Sequence, residues 1–328
     1  MHSPFPPQAK VAALALAFTL AFSSSGCSSS ATANLTPAKQ APPAIEFLGA
    51  WGTKGSGPGL LADPRAIAAD AFGEVYITDA GSSERFIHKF SRDGHALLSF
   101  EPLAPIHNPC ASAVDLGGAI YSLECGPGAL YVFKPEGDLL RTIRGGMAAP
   151  SKPSSVTVDN EGRIYVAESH AKRILRYTPR GSVLGAWGGK ASGPGALRVT
   201  QETSTLHADQ IAATLNGNLF LLDSDRAWFA HVTTSGIIMK EWTMAATGAR
   251  DCHLAVTKSS VVALCGPPSA PVVHVFSYDG DEKFSKPLLN LDPSLTGITF
   301  AGIAAMQDGE IFILDSAAPR VLHLRVNQ

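Results

Sequence analysis

The chain has 328 residues, with 26 Lys or Arg against 28 Asp or Glu, a formal net charge of −2 and only 16% charged residues. No basic stripe stands out, so the electrostatic footprint of nucleic-acid binding is missing. Hydrophobic residues make up 45% of the chain, enough for a sizeable core, and the many Gly turns and β-branched runs point to an all-β fold.

The N-terminus reads as an export signal. Lys10 supplies a positive start, and Val11–Phe22 (VAALALAFTLAF) is an apolar run of 12 residues. That is short of the roughly 20 residues needed to cross a bilayer and matches the apolar region of a signal peptide. Ser24-Ser25-Gly26-Cys27 follows. It resembles a bacterial lipoprotein lipobox, with Ser24 where that pattern usually has Leu, and the resemblance implies lipidation of Cys27. Ser28 after the Cys resembles sorting to the outer membrane. Residues 1–26 are thus expected to be signal, and 27–43, rich in Ser, Ala and Pro, a flexible tether.

From residue 44 onward one phrase recurs: a small apolar run, a turn, an apolar strand and then an acid. It reads Ala66–Asp79, Ala111–Glu124, Ser155–Glu168 and Gln210–Asp223, degenerates before Cys265, and returns before Asp315. The spacings of these end residues are about 45, 44, 55, 42 and 50. Periods of roughly 40–50 residues with several short strands each mark radially stacked sheets, a β-propeller. Residues 44–328 therefore predict one six-bladed ring. Third strands are expected at Phe86–Phe90, Leu130–Phe133, Ile174–Tyr177, Trp228–Val232, Val272–Phe276 and Val321–Leu324. A Gly turn follows five of them, at Gly94, Gly137, Gly181, Gly236 and Gly280. The sixth unit lacks that turn and a fourth strand. Ile45–Trp51 (IEFLGAW) matches the fourth strand of unit three, Ser182–Trp187 (SVLGAW). The N-terminal strand is therefore expected to complete the last blade and close the ring.

The Gly-Pro-Gly linkers, Asp-x-x-Gly turns, Val/Ile-Tyr-Ile/Val-x-Asp/Glu strands and the Arg before the third strand resemble the NHL-repeat propellers. Units one and three match best, and unit five, with Cys265 in the acidic position, matches least. That family contains surface scaffolds, ligand-binding modules and some enzymes. The resemblance implies the ring and leaves the activity open.

Apart from Cys27, four Cys remain. Cys110 and Cys125 flank the first hairpin of unit two, and Cys252 and Cys265 that of unit five. Their midpoints fall at Gly117-Gly118 and Lys258-Ser259, so each pair is expected directly across two antiparallel strands, within disulfide reach. Two such bridges fit an oxidising compartment.

The recurrent acids, Asp79, Glu124, Glu168, Asp223 and Asp315, read as blade architecture. Three have an Arg five or six residues on, at Arg85, Arg173 and Arg320, suited to a guanidinium pair. Lys54–Gly59 and Lys190–Gly195 are Gly-rich, but strands rather than helices follow them, so they read as blade linkers, not phosphate loops. The informative positions precede each innermost strand. One ring there is Arg65, Cys110, Ser154, Asp209, Cys252 and Ala301; the next is Ala66, Ala111, Ser155, Gln210, His253 and Gly302. Arg65, Asp209, Gln210 and His253 are the candidate ligand-binding residues at the channel mouth, beneath the long loop Arg198–Ala208. Asp63, Asp209, Asp251, His107 and His207 offer an O/N donor set for a metal, at the face where gluconolactonase-like propellers hold a divalent cation. Amidating-lyase-like propellers hold zinc with several His, and catalytic zinc needs three converging ligands, whereas His253 stands alone in the second ring.

The expectation is a monomeric, lipid-anchored binding or scaffold module at the cell envelope, outer membrane favoured. It has a protein or glycan partner and no cofactor, no assigned metal and no catalytic residue. The alternative is a metal-dependent hydrolase or lyase at the channel mouth.

Overall fold

The structure, a computed structural model, describes residues 45–81, 85–103, 106–126, 128–147, 152–188, 208–244 and 251–327. Cys27, the tether, His207 and nearly all of the Arg198–Ala208 loop lie outside them.

Six four-stranded antiparallel sheets form the fold. The innermost strands are Pro64–Ala69, Pro109–Val114, Pro153–Val158, Gln210–Ala213, His253–Val256 and Phe300–Ala305, in blades 1 to 6. They touch one another in a closed cycle, blade 6 against blade 1 included. The expected third strands are present, four of them extended slightly to Phe86–Ser91, Ala129–Phe133, Arg173–Tyr177 and Arg320–Val326. The ring closes as the repeat count requires. Ile45–Trp51 pairs antiparallel with Arg320–Val326, joining Ile45 to Val326 and Trp51 to Val321.

Every middle strand is packed on both faces, which explains its unbroken apolar run. In blade 5, Val262 and Leu264 face blade 6, whereas Ala263 and Cys265 face blade 4. The buried hydrophobic residues fall into six clusters, each at the junction of two consecutive blades. Blade-on-blade burial, not any single sheet, is therefore the core.

Two side-chain devices recur. In blades 1 to 3 an Asp closes the first hairpin: Asp70, Asp115 and Asp159 each accept two turn N–H bonds. Each also accepts the hydroxyl of the Tyr six residues on, Tyr76 at 3.1 Å and Tyr121 and Tyr165 at 2.9 Å. A buried hydroxyl needs such a partner. Where the acid is replaced by Thr214 or Met306 the Tyr becomes Phe220 or Phe312, stacked instead on His231 or His323 at 4.6 Å.

The Gly turns cradle the previous blade. A Cβ built on Gly94 would overlap Trp51, and one on Gly236 or Gly280 would overlap Trp187 or Trp242; Gly137 and Gly181 carry Phe100 and Ile143 in the same way. All five turns have φ between +83° and +104°. Gly is thus required twice, for the backbone and for the side chain lying on it. Trp51 comes from the N-terminal strand in blade 6, so the seam uses the same device as the other junctions.

Both disulfides form, Cys110–Cys125 with Cα atoms 5.7 Å apart and Cys252–Cys265 at 4.2 Å. The second pair extends a regular register in which His253 opposes Leu264. The first pair is not directly opposed as the spacing suggested. Val114 opposes Ile120, which centres the turn on Gly117, and the register slips between Pro109 and Ala111. Cys110 is the extra residue of a β-bulge, and the bulge brings it to Cys125.

Candidate functional site

That bulge is systematic. The register slips at the same place in blades 1, 3 and 6, between Pro64 and Ala66, Pro153 and Ser155, and Phe300 and Gly302. Arg65, Cys110, Ser154 and Ala301, four of the first ring of mouth residues, are therefore bulge residues. A bulge re-aims a side chain, and Pro64, Pro109 and Pro153 are tolerated as the first residue of their strands. Asp209 and Cys252 immediately precede the inner strands of blades 4 and 5.

The recurrent acids sit on the same face, and the carboxylates of Asp79, Glu124 and Asp315 hold the loops that lead into the inner strands. Asp79 accepts N–H bonds from Ala62, Asp63 and Gly81 at 2.6–3.0 Å. Glu124 accepts from His107 N and the Tyr131 hydroxyl, and Asp315 from Thr299 N and Ala317 N. Glu168 and Asp315 pair with Arg173 and Arg320. These groups define the rim of the mouth.

A cavity of about 320 Å³ runs along the axis, lined by the six inner strands, and Asp209, Gln210 and His253 all border it. Arg65 borders a separate recess on the same face, with Asn108 and Phe300. Its guanidinium bonds Asp63 at 2.6 Å, an exposed pair that is screened and weak.

The channel residues differ in how far their hydrogen bonds are already taken. Gln210 spans to blade 5: its Nε2 donates to Cys252 O at 2.6 Å, and its Oε1 accepts from Leu254 N at 2.8 Å. Both bonds fall on the strand neighbours of His253, so Gln210 clamps the backbone that carries that side chain. Asp209 accepts from the N–H and hydroxyl of Ser224; burial raises its pKa, against the pull of those bonds. Ser154 donates to Asp209 O at 2.7 Å, and Thr157 accepts from Ala213 N at 3.1 Å. His253 is different. Its partly buried ring meets Phe300 edge-on, centroids 6.1 Å apart, and has no hydrogen-bond partner among the described residues. Burial holds its imidazole below the ordinary His range, opposed by the nearby Asp251, so it is neutral at pH 7. Asp251 itself is left-handed, φ 56°, a conformation that costs a non-Gly residue about 1–2 kcal/mol.

Of the candidate metal donors, Asp63 is committed to Arg65 and Asp209 to Ser224. Among the described residues no three His, Cys, Asp or Glu side chains converge to hold a metal ion. No helix among them is long and apolar enough to cross a membrane.

No family model matches the chain, and no curated protein matches it. Solved structures do. A streptogramin B lyase aligns with a TM-score of 0.56 at 15% identity, covering 85% of this chain and 98% of its own. Virginiamycin B lyase from Staphylococcus aureus gives 0.56 at 12% identity, covering 87% and 100%. A Bacteroides thetaiotaomicron protein of unknown function gives 0.58 at 14%, covering 84% and 72%. At these identities the likeness establishes a shared propeller fold and nothing about chemistry.

Proposed function

We propose that the chain is a non-catalytic binding module of an oxidising, extracytoplasmic compartment, tethered through a lipidated Cys27, with mouth-face loops that dock a protein or glycan partner. The observation that carries this reading is the commitment of the polar mouth residues to the frame. Gln210 has both ends of its amide bonded to backbone, Asp209 is held by Ser224, and Arg65 is paired with Asp63. Residues fixed in this way build a rigid platform. The two disulfides support the compartment.

A second reading, a metal-dependent hydrolase or lyase at the channel mouth, draws on the lyases among the structural neighbours and on the uncommitted imidazole of His253. Photo-crosslinkers at Arg85, His170 and Arg226, exposed on the mouth face, test the two readings in the native envelope against a control at Met239 on the outer strand of blade 4. Adducts from the mouth face alone are the expected result. Absence of such adducts, or a stoichiometric divalent metal that Asp209→Ala removes, overturns the binding reading, the latter in favour of the enzyme.

A further inference from the structure

The channel is not uniform around its axis. Each inner strand is the edge of its sheet, and every second residue of an edge strand turns an unpaired N–H and C=O outward. On one side those groups are covered from the neighbouring blade. Ser155 lies within bonding distance of Ile211 N and O, Thr157 bonds Ala213 N, and Gln210 bonds Leu254 N and Cys252 O. In blades 6, 1 and 2 the equivalent positions are Gly302 and Ala304, Ala66 and Ala68, and Ala111 and Ala113. None of these has a side chain able to form a hydrogen bond. On that half of the channel the small residues pack against the next blade, Gly302 beside Ile67 for example, and leave its strand edge without a side-chain hydrogen bond; His253 stands at the boundary between the two halves.

His253 is held more firmly than a solvated residue requires. Gln210 fixes the peptide groups on either side of it, the Cys252–Cys265 disulfide pins the residue before it, and Phe300 packs against its ring. A left-handed Asp251 precedes that disulfide; such strain persists where the surroundings over-determine the backbone. Yet the imidazole so positioned bonds nothing among the described residues. The acids bordering the cavity, Asp70, Asp115, Asp159 and Asp209, already accept bonds from turn N–H groups, Tyr hydroxyls or Ser224. No Lys or Arg lines the cavity, so an anionic guest would give up its water beside these carboxylates without gaining a counter-charge.

We propose that the Ala/Gly-walled half of the channel is a binding site for a small neutral molecule bearing amide or hydroxyl groups, which pair with the open strand edges while His253 hydrogen-bonds its head. The cavity, about 320 Å³, is of the size that takes such ligands. The site goes beyond the partner-docking reading and stands or falls separately from it.

The test follows the His253 ring by NMR during titration of the purified protein with N-acetylglucosamine and with N-acetylalanine methylamide, against acetate and methylammonium. Saturable shifts with the neutral amides and none with the ions are expected. Ala111→Leu adds bulk to that wall and abolishes the response. His253→Phe keeps the shape, removes the hydrogen bond and weakens binding roughly tenfold, the equivalent of about 1.4 kcal/mol, as read by ligand saturation transfer. Melting curves report whether each variant folds, and His253→Phe decides if Ala111→Leu does not. No saturable shift with either amide, or equal binding by His253→Phe, overturns the proposal.

Discussion

Gly94 and Gly217 have nearly the same backbone, φ +83° and +80°, but different surroundings. A Cβ on Gly94 would stand 2.6 Å from Trp51 Cβ, whereas on Gly217 the first atom met is Asn160 Oδ1 at 3.6 Å. Ala at either position carries the left-handed penalty of about 1–2 kcal/mol. At Gly94 alone the methyl also drives the Trp51 ring from its seat, adding about 1–3 kcal/mol of overpacking. Gly94→Ala should therefore unfold at a lower temperature than Gly217→Ala. At about 2–4 °C per kcal/mol for a domain approaching this size, the gap is several degrees by calorimetry. Limited proteolysis should also release the Ile45–Trp51 strand from Gly94→Ala first, because Trp51 belongs to it. Equal melting temperatures for the two variants would refute the claim that the turn glycines act as seats for the preceding blade.

Three further outcomes follow from the side-chain contacts. Asp159→Ala strands two turn N–H groups and the Tyr165 hydroxyl, leaves Arg163 with Glu161 alone, and should cost about 2–4 kcal/mol in urea unfolding; a loss under about 0.5 kcal/mol contradicts the role given to that acid. Burial lowers the pKa of His88, opposed by Asp79, and its Nε2 is buried without a hydrogen-bond partner. The unfolded chain thus takes up this proton more readily, so the stability due to neutral His88 is present above about pH 6.5 and is lost as pH falls through the lower folded value. His88→Gln should flatten the pH dependence of melting below 6.5, and parallel curves would exclude the effect. Cys252 and Cys265 are buried, whereas Cys110 and Cys125 are partly exposed, so a mild dithiol should open Cys110–Cys125 first, as read by thiol alkylation and mass spectrometry.

The blade count, the seam strand and the second disulfide register were legible because each depends on spacing along one strand or hairpin. The first disulfide register was not. A bulge consumes one residue without altering the composition, and Pro109 before Cys110, echoed by Pro64 and Pro153, was the available signal. The six-residue interval from Asp70, Asp115 and Asp159 to Tyr76, Tyr121 and Tyr165 was also in plain sight, together with its loss where Phe220 and Phe312 replace Tyr. The Gly turns were recognised as turns, but their occupants come from the neighbouring blade, which a repeat alignment treats as a separate unit. Gln210 shows the same blindness. Alignment puts it at the channel, and only contacts between blades reveal that its amide is spent on Cys252 and Leu254, while the imidazole between them has no hydrogen-bond partner among the described residues.

The pairing of Ile45–Trp51 with Arg320–Val326 also has a consequence for synthesis. The strand made first waits for the strand made last, so Trp51 cannot be locked into the finished seam until nearly the whole ring has emerged. Throughout that interval Phe47 and Trp51 lack their partner strand, and the nascent chain carries an open hydrophobic edge along Ile45–Trp51. Whatever machinery escorts this polypeptide has to guard that edge until Arg320–Val326 has been made.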